Sequence, residues 1–252
     1  MRGRKSAGAA IAALAVVLFA GQSHGALVFS DNFTYPDGVL TTVSGGTWAN
    51  HSGTAGQANV TSNQVFLTEG ESEDVNAVIA GGPYSTGTLY AGLDVNFSAL
   101  PSLNGGYFFH FKDATASGFR GRVFATQAGA AAGMFRLGIT NGSNAGVVTI
   151  PTDINLNESH RLVLAYDTAN AVATLYLDAT TETGGVVATD VVTSLPITSI
   201  ALRQSIVSGS GMGMLNADNL LVGTTFADVA VVPEPATVGF AALSALLLRR
   251  RR

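Results

Sequence analysis

Carboxylates are the first residues in this sequence that could do chemistry. Glu69, Glu71, Glu73 and Asp74 fall within the six residues EGESED. Their mutual repulsion would be relieved by a cation, but the spacing differs from the twelve-residue loop that supplies calcium ligands at set positions. Glycoside hydrolysis needs two carboxylates facing one sugar bond, about 5.5 Å apart for retention or about 6.5 to 9.5 Å for inversion. Extended, EGESED would line up Glu69, Glu71 and Glu73, but its flanks are turn-like and Phe66 is the one nearby aromatic. A solvated loop between strands is therefore expected, and catalysis is not. Asp31-Asn32 and Asp218-Asn219 form two further polar pairs. Such side chains commonly cap turns by bonding nearby backbone N–H groups.

The remaining chemistry is sparse. Of the four histidines, His24 borders the N-terminal segment, and His51, His110 and His160 are isolated, with no metal-ligand spacing. His110, in YFFHFK, is expected to be partly buried or at a rim. No serine sits in a G-x-S-x-G elbow, and GSGMGM (209–214) lacks the Lys-Ser/Thr ending of a phosphate loop. The chain has no cysteine, which excludes disulfides and thiolate chemistry. Exposed aromatics could stack on sugar faces, and Trp48, Tyr84 and Tyr107 are the candidates for carbohydrate contact. The Gly-rich flanks of Trp48 suit a loop platform or a packed strand end, and core packing is the favoured expectation for it.

The elements that would position these residues read as strands. TLYAGLDVNFSAL (88–100) puts Leu89, Ala91, Leu93, Val95 and Phe97 on one face, a period of two. Segments 63–69, 106–114, 118–126, 133–141, 160–168, 170–180, 197–205 and 216–225 share the β-branched and aromatic content, with Gly, Asn, Ser and Asp turns between them. In 106–114, strict alternation groups Tyr107, Phe109 and Phe111 against Phe108, His110 and Lys112. The small-residue run in 124–136 is expected to be a hairpin tip. Nine to twelve short strands over about 200 residues, without a fixed repeat, predict an all-β sandwich or barrel.

The two ends differ from this middle. Arg2, Arg4 and Lys5 precede the apolar run from Ala9 to Ala20, and small residues follow. That is the pattern of a secretory signal peptide over 1–25, to be removed by signal peptidase. At the other end, Pro233, Glu234 and Pro235 precede an apolar stretch (236–248) and the cluster Arg249, Arg250, Arg251 and Arg252. As a helix the stretch would cover about 20 Å, against about 30 Å of hydrocarbon, a marginal and transient membrane stop. The ends hold seven of the thirteen basic residues and one of the seventeen acids, leaving six against sixteen between them, a net of −10. A domain so charged repels nucleic acid.

The C-terminal layout closely resembles the PEP-CTERM sorting signal of Gram-negative bacteria. The resemblance covers residues 230–252 and implies recognition by a membrane-embedded exosortase, with cleavage near Pro233-Glu234-Pro235. It also implies release or attachment at the cell surface, often alongside exopolysaccharide. Phe33, Tyr35-Pro36, Gly38, Gly45-Gly46 and Trp48, with LYLD (175–178) and the late stretch 217–229, resemble LamG-like, concanavalin-like jelly rolls. That resemblance implies one jelly-roll-like β-sandwich over 26–229 with its first and last strands paired. It also implies a calcium site where carboxylates converge near the terminal strands, for which Asp31 and Asp218 are the candidates. The expected role is an exported surface or matrix protein, structural, adhesive or binding extracellular polysaccharide; the alternative is an extracellular glycan hydrolase on the same fold.

Overall fold

The computed structural model describes residues 25–204 and 209–230. Apart from their inner ends, the signal-peptide segment 1–25 and the sorting segment 230–252, with Pro233, Glu234, Pro235 and Arg249 to Arg252, lie outside the described residues. The described chain opens with β1 (Leu27–Asp31), β2 (Gly38–Val39), the short helix α1 (Leu40–Val43) and β3 (Trp48–Ser52). Next come β4 (Asn59–Thr61), β5 (Gln64–Thr68), β6 (Asp74–Val78), β7 (Thr88–Ala99), β8 (Gly106–Lys112) and β9 (Phe119–Thr126). They are followed by β10 (Arg136–Thr140), β11 (Val148–Thr149), β12 (Ser159–Asp167), β13 (Val172–Leu177) and β14 (Val186–Ala188). The described chain closes with β15 (Ser199–Arg203), β16 (Met214–Gly223) and the helix α2 (Ala227–Ala230).

These strands form two antiparallel sheets, the all-β sandwich that the alternating pattern predicts. The first sheet runs β14-β13-β12-β7-β16-β5-β4-β2, and β1 also pairs with β16. The second runs β11-β10-β9-β8-β15-β6-β3. Leu89, Ala91, Leu93, Val95 and Phe97 of β7 are all buried. They meet residues of the second sheet in one core, where the Phe97 ring lies 4.6 Å from Phe135 and 5.6 Å from Phe108. Aromatic pairs at such separations add about 0.5–1.5 kcal/mol beyond the area they bury. The run 124–136 forms the tip between β9 and β10, as expected.

Strict alternation fails in β8. Register shifts between Tyr107 and Phe109, and again between Phe109 and Phe111, break the pairing with β9. Each irregularity moves one side chain to the other face. Phe108, Phe109 and Phe111 therefore all enter the core, while Tyr107 and His110 stand together outside it, their rings 5.5 Å apart.

The first and last strands pair, with Asp31 opposite Leu220 and Ser30 opposite Leu221. The late strand is shorter than 217–229, because it ends at Gly223 and the chain then turns into α2. Thr225-Phe226-Ala227-Asp228 explains the stop. The Asp228 carboxylate accepts from the Thr225 N–H at 2.9 Å, as the acid of a capping box does. Phe226 and Val229 then cover the outside of the first sheet at Tyr90, Val163 and Tyr176. Arg161 holds this helix down by donating to the Val229 carbonyl at 2.7 and 3.1 Å and to Asp94 at 2.9 Å. Gly92 makes room for that clamp, since a Cβ there would lie 2.3 Å from the Val229 oxygen.

Asp31 joins the two layers. Its carboxylate accepts from the Phe33 N–H (2.8 Å), the Tyr35 hydroxyl (2.8 Å) and Trp48 Nε1 (2.7 Å). Removing it strands three donors, two of them in buried bonds, and hydrogen bonds to a charged group are worth about 1.5–3 kcal/mol each. Asp31→Ala is expected to lose about 3 kcal/mol or more. Urea unfolding followed by Trp48 fluorescence measures this as a lower midpoint at unchanged slope.

Candidate functional site

The outward side of the second sheet carries a cluster of aromatic, histidine and arginine side chains. At its centre is Tyr107 on β8. The Arg203 guanidinium, from β15, lies 4.0 Å from the centre of its ring, and that of Arg122, from β9, lies 4.8 Å from it. Phe124, opposite Tyr107 in the β8–β9 pairing, has its ring 5.5 Å away. A cavity of about 260 Å³ opens here, with Asn104, Tyr107, Phe124, Asn144, Arg203 and Ser210 in its wall. Gly106 lets the wall close up, because a Cβ there would lie 2.5 Å from the Ser210 carbonyl oxygen. The cavity thus offers an aromatic face, two amides, a hydroxyl and a guanidinium. Burial raises the Tyr107 phenol above its ordinary pKa although both guanidiniums pull it down.

Behind this cavity the cluster becomes dry. His110 is fully buried, with Nδ1 3.1 Å from the Phe111 carbonyl and Nε2 without a partner among the described residues. Its ring packs 4.4 Å from Phe119 and 6.2 Å from His51. Both His51 ring nitrogens also lack partners among the described residues. Burial therefore pulls His110 down to about 3 and His51 to about 4, with the Lys112 charge adding to the effect on His51.

The acidic cluster is structural rather than a solvated loop. Glu73 is fully buried and accepts from the N–H groups of Gln57 (2.6 Å) and Ala58 (2.7 Å) and from the Asn50 amide (3.3 Å). Glu69 accepts from the Gly213 N–H at 2.8 Å. Asp74 lies on β6, accepts from the Ser52 hydroxyl at 2.7 Å, and sits 3.8 Å from the Arg203 Nε. Burial pushes its carboxyl up to about 6. The low local charge density of EGESED's flanks hid this, because the donors that satisfy Glu73 come from residues 50–58, on a different strand and loop.

The candidate sugar contacts separate. Trp48 is 1% exposed, with its ring against Phe29 and Phe33 and its N–H spent on Asp31, so it offers no face to a sugar. Tyr84 is half-buried and donates to the Ala80 carbonyl at 2.6 Å, away from the cavity. Tyr107 lines the cavity, but at 8% exposure it lies under the arginines instead of forming an open platform. His110 is fully buried on the outward side of the sheet, neither partly buried nor at a rim. Arg122, Arg203, Phe124, Asn104 and Asn144 were missed in the sequence. The usable signal was FRGRVF, two arginines two apart in a middle with six basic residues in all.

A larger cavity, about 480 Å³, lies where β1 meets β16, beside Asp31, Asn32, Tyr35 and Asn219. The strand pairing brings Asp31, Asp94 and Asp218 near one another, and burial, with a smaller push from the charges of Asp94 and Asp31, raises the Asp218 pKa. The Asp31 carboxylate accepts from three protein donors, and Asp218 accepts from the Asn219 N–H at 2.6 Å. Among the described residues no group of three or more His, Asp or Glu is placed to hold a metal ion.

Comparison with solved structures fixes what this architecture resembles. Lectin II from Ulex europaeus superposes with a TM-score of 0.51 at 12% identity, over 79% of this chain and 100% of that one. The alginate lyase Aly36B, in complex with alginate tetrasaccharide, gives a TM-score of 0.50 at 13% identity, over 77% of this chain and 95% of that one. The fold shared with them is a two-sheet, jelly-roll-like β-sandwich. The CBM2 module of the evolved Dit of Lactobacillus casei BL23 phage J-1 shares it, with a TM-score of 0.50 at 12% identity, over 79% of this chain and 96% of that one. No family model and no curated protein matches the sequence. Among the described residues, those lining the cavity over Tyr107 are aromatic, amide, hydroxyl, guanidinium and glycine groups.

The buried histidines make stability depend on pH. Their folded pKa values lie below the unfolded value of 6.5, so the stability they contribute is present above 6.5 and lost as pH falls through about 4 and about 3. Asp74 acts in the opposite direction, because its raised pKa favours the folded state below 3.8 and that contribution is lost as pH rises through about 6. Asp218, also raised, acts with Asp74 and offsets part of the histidine contribution, whose fall as pH drops from 6.5 to 4 is isolated in a histidine variant. In His110→Leu the fall should be shallower by up to about 1.4 kcal/mol per pH unit, one proton's worth, as read from denaturant midpoints across that range.

Proposed function

We propose that this chain is a glycan-binding protein exported to the bacterial cell surface or extracellular matrix. The cavity over Tyr107 carries this conclusion. It combines an aromatic wall from Phe124, the amides of Asn104 and Asn144 and the charge of Arg203 on one sheet face. Sugars are held by such mixtures of apolar faces and directional polar groups. The names of the similar folds are in keeping, since they include a lectin and an alginate lyase in complex with alginate tetrasaccharide. A glycan array, run with and without calcium, is expected to show binding, and Asn144→Ala should weaken it about fivefold, as for one lost hydrogen bond of ~1 kcal/mol. Absence of any glycan ligand under both conditions would overturn the proposal.

The destination rests on the two ends. Signal peptidase would remove the first segment, and an exosortase-type enzyme would read Pro233-Glu234-Pro235, the apolar helix and the arginines while the helix briefly holds the chain in the inner membrane. The mature domain would then act beside exopolysaccharide. The intact mass of the surface-extracted protein is expected to match a chain trimmed at both ends. A mass that still includes Arg249 to Arg252 would rule out the C-terminal processing.

A further inference from the structure

Positive charge is unevenly placed in this domain. Five of the six basic residues between the terminal segments lie on the second sheet: Lys112 on β8, Arg120 and Arg122 on β9, Arg136 on β10 and Arg203 on β15. The strands of that sheet carry one acid, Asp74 on β6. The first sheet is the reverse, with Asp31, Asp94, Asp167 and Asp218 against Arg161. A chain whose middle has a net charge of −10 has gathered its cations on one layer.

Three of the five have local partners. Arg136 pairs with Asp153 at 2.6 Å. Lys112 donates to the carbonyls of Asp113 and Thr115, and Arg120 to those of Thr193 and Phe119. Arg122 and Arg203 differ, because both lie against the one ring of Tyr107. Arg122 donates to the neutral Asn144 amide oxygen, and its Nε has no acceptor among the described residues although the side chain is 9% exposed. Arg203 reaches the Tyr107 carbonyl at 3.3 Å and Asp74 only at 3.8 Å. Arg203 thus has one distant carboxylate, Asp74, whose own ionisation burial opposes, while Arg122, near Asp190, is also pressed by the charges of Arg203 and Arg120. Like charges on a partly dry surface repel strongly, and an incoming anion would relieve them. The adjoining cavity is roomier than a simple ion needs and has an apolar wall, which points to a sugar ring that itself carries the charge.

Granted the glycan-binding role proposed above, we infer that the ligand is an acidic sugar of the uronate type, its carboxylate held by Arg203 with the charge of Arg122 beside it. The sugar ring would lie against Phe124, with hydroxyls toward Asn104 and Asn144. Arginine suits this task because its planar fork matches a carboxylate with two parallel hydrogen bonds.

Isothermal titration of the chain with hexagalacturonate and with its carboxyl-reduced, neutral counterpart tests the inference directly. The acidic oligomer is expected to bind at least about tenfold more tightly, with an affinity that falls as salt is added. Arg203→Gln should abolish the preference, Arg122→Gln should reduce it, and Arg203→Lys should restore it in part by supplying charge without the fork. Thermal midpoints verify that each variant is folded, and the comparison of the two oligomers on the unaltered chain needs no variant. Equal affinity for both oligomers would overturn the acidic assignment while leaving glycan binding intact. So would failure of both oligomers to bind when a neutral or sulfated glycan binds on the array. Failure of every glycan would overturn the inference and the glycan-binding role together.

Discussion

The carboxylate of Asp31 sits where the domain closes. It lies at the end of the first strand, opposite Leu220 of the last, and so belongs to the first sheet. One of its three donors is the indole N–H of Trp48, the opening residue of β3 in the second sheet. A charge-assisted bond of 2.7 Å therefore spans the two layers where the first and last described strands pair. Such bonds are about twice as strong as neutral ones. Burial and the same carboxylate push the Tyr35 phenol up to about 12, so it stays a donor across the physiological range. This closure turns the lone tryptophan into core.

The rest of the layout follows from which outer faces remain open. The first sheet is capped by its own chain, where Phe226 and Val229 of the C-terminal turn cover Tyr90 and Tyr176 and Arg161 holds the Val229 carbonyl. Among the described residues, no comparable helix covers the outer side of the second sheet. Its side chains pack against one another instead, as His51, His110, Phe119 and Tyr107 beneath two arginines. The cavity forms at the end of that packing. The acidic sheet is thus joined to the covered face, and the cationic sheet to the cavity. An anionic ligand would be steered away from most of the surface and toward one place on it.

Much of the sandwich was legible because burial on one side of a sheet enforces a period of two. Leu89 to Phe97 kept that rhythm, and all five expected residues are buried. The pairing of the terminal strands was legible from resemblance in the segments around Phe33 and Trp48. Other elements escaped. Strands β2, β11 and β14 are two or three residues long and carry too little periodicity to register. The alternation in β8 misassigned Phe108 because the bulges that reset its faces depend on the partner strand, not on β8 alone. Glu73 read as solvated because the N–H groups that satisfy it belong to Gln57 and Ala58, which approach only in the folded chain.

The sequence by itself determined the β class, the acidic balance of the middle, the absence of thiol chemistry and the contrast between the two ends with the domain between them. These depend on composition and short-range pattern, which survive without a fold. Only the tertiary structure decided that Arg122 and Arg203, 81 positions apart by number, share one tyrosine ring, and that five of six internal cations occupy one sheet. Only it decided that Trp48 is buried and Tyr107 lines a cavity. The physical reason is the same in each case. Charge pairing, burial and cavity shape are set by side chains from strands distant in sequence, and strand order places them side by side.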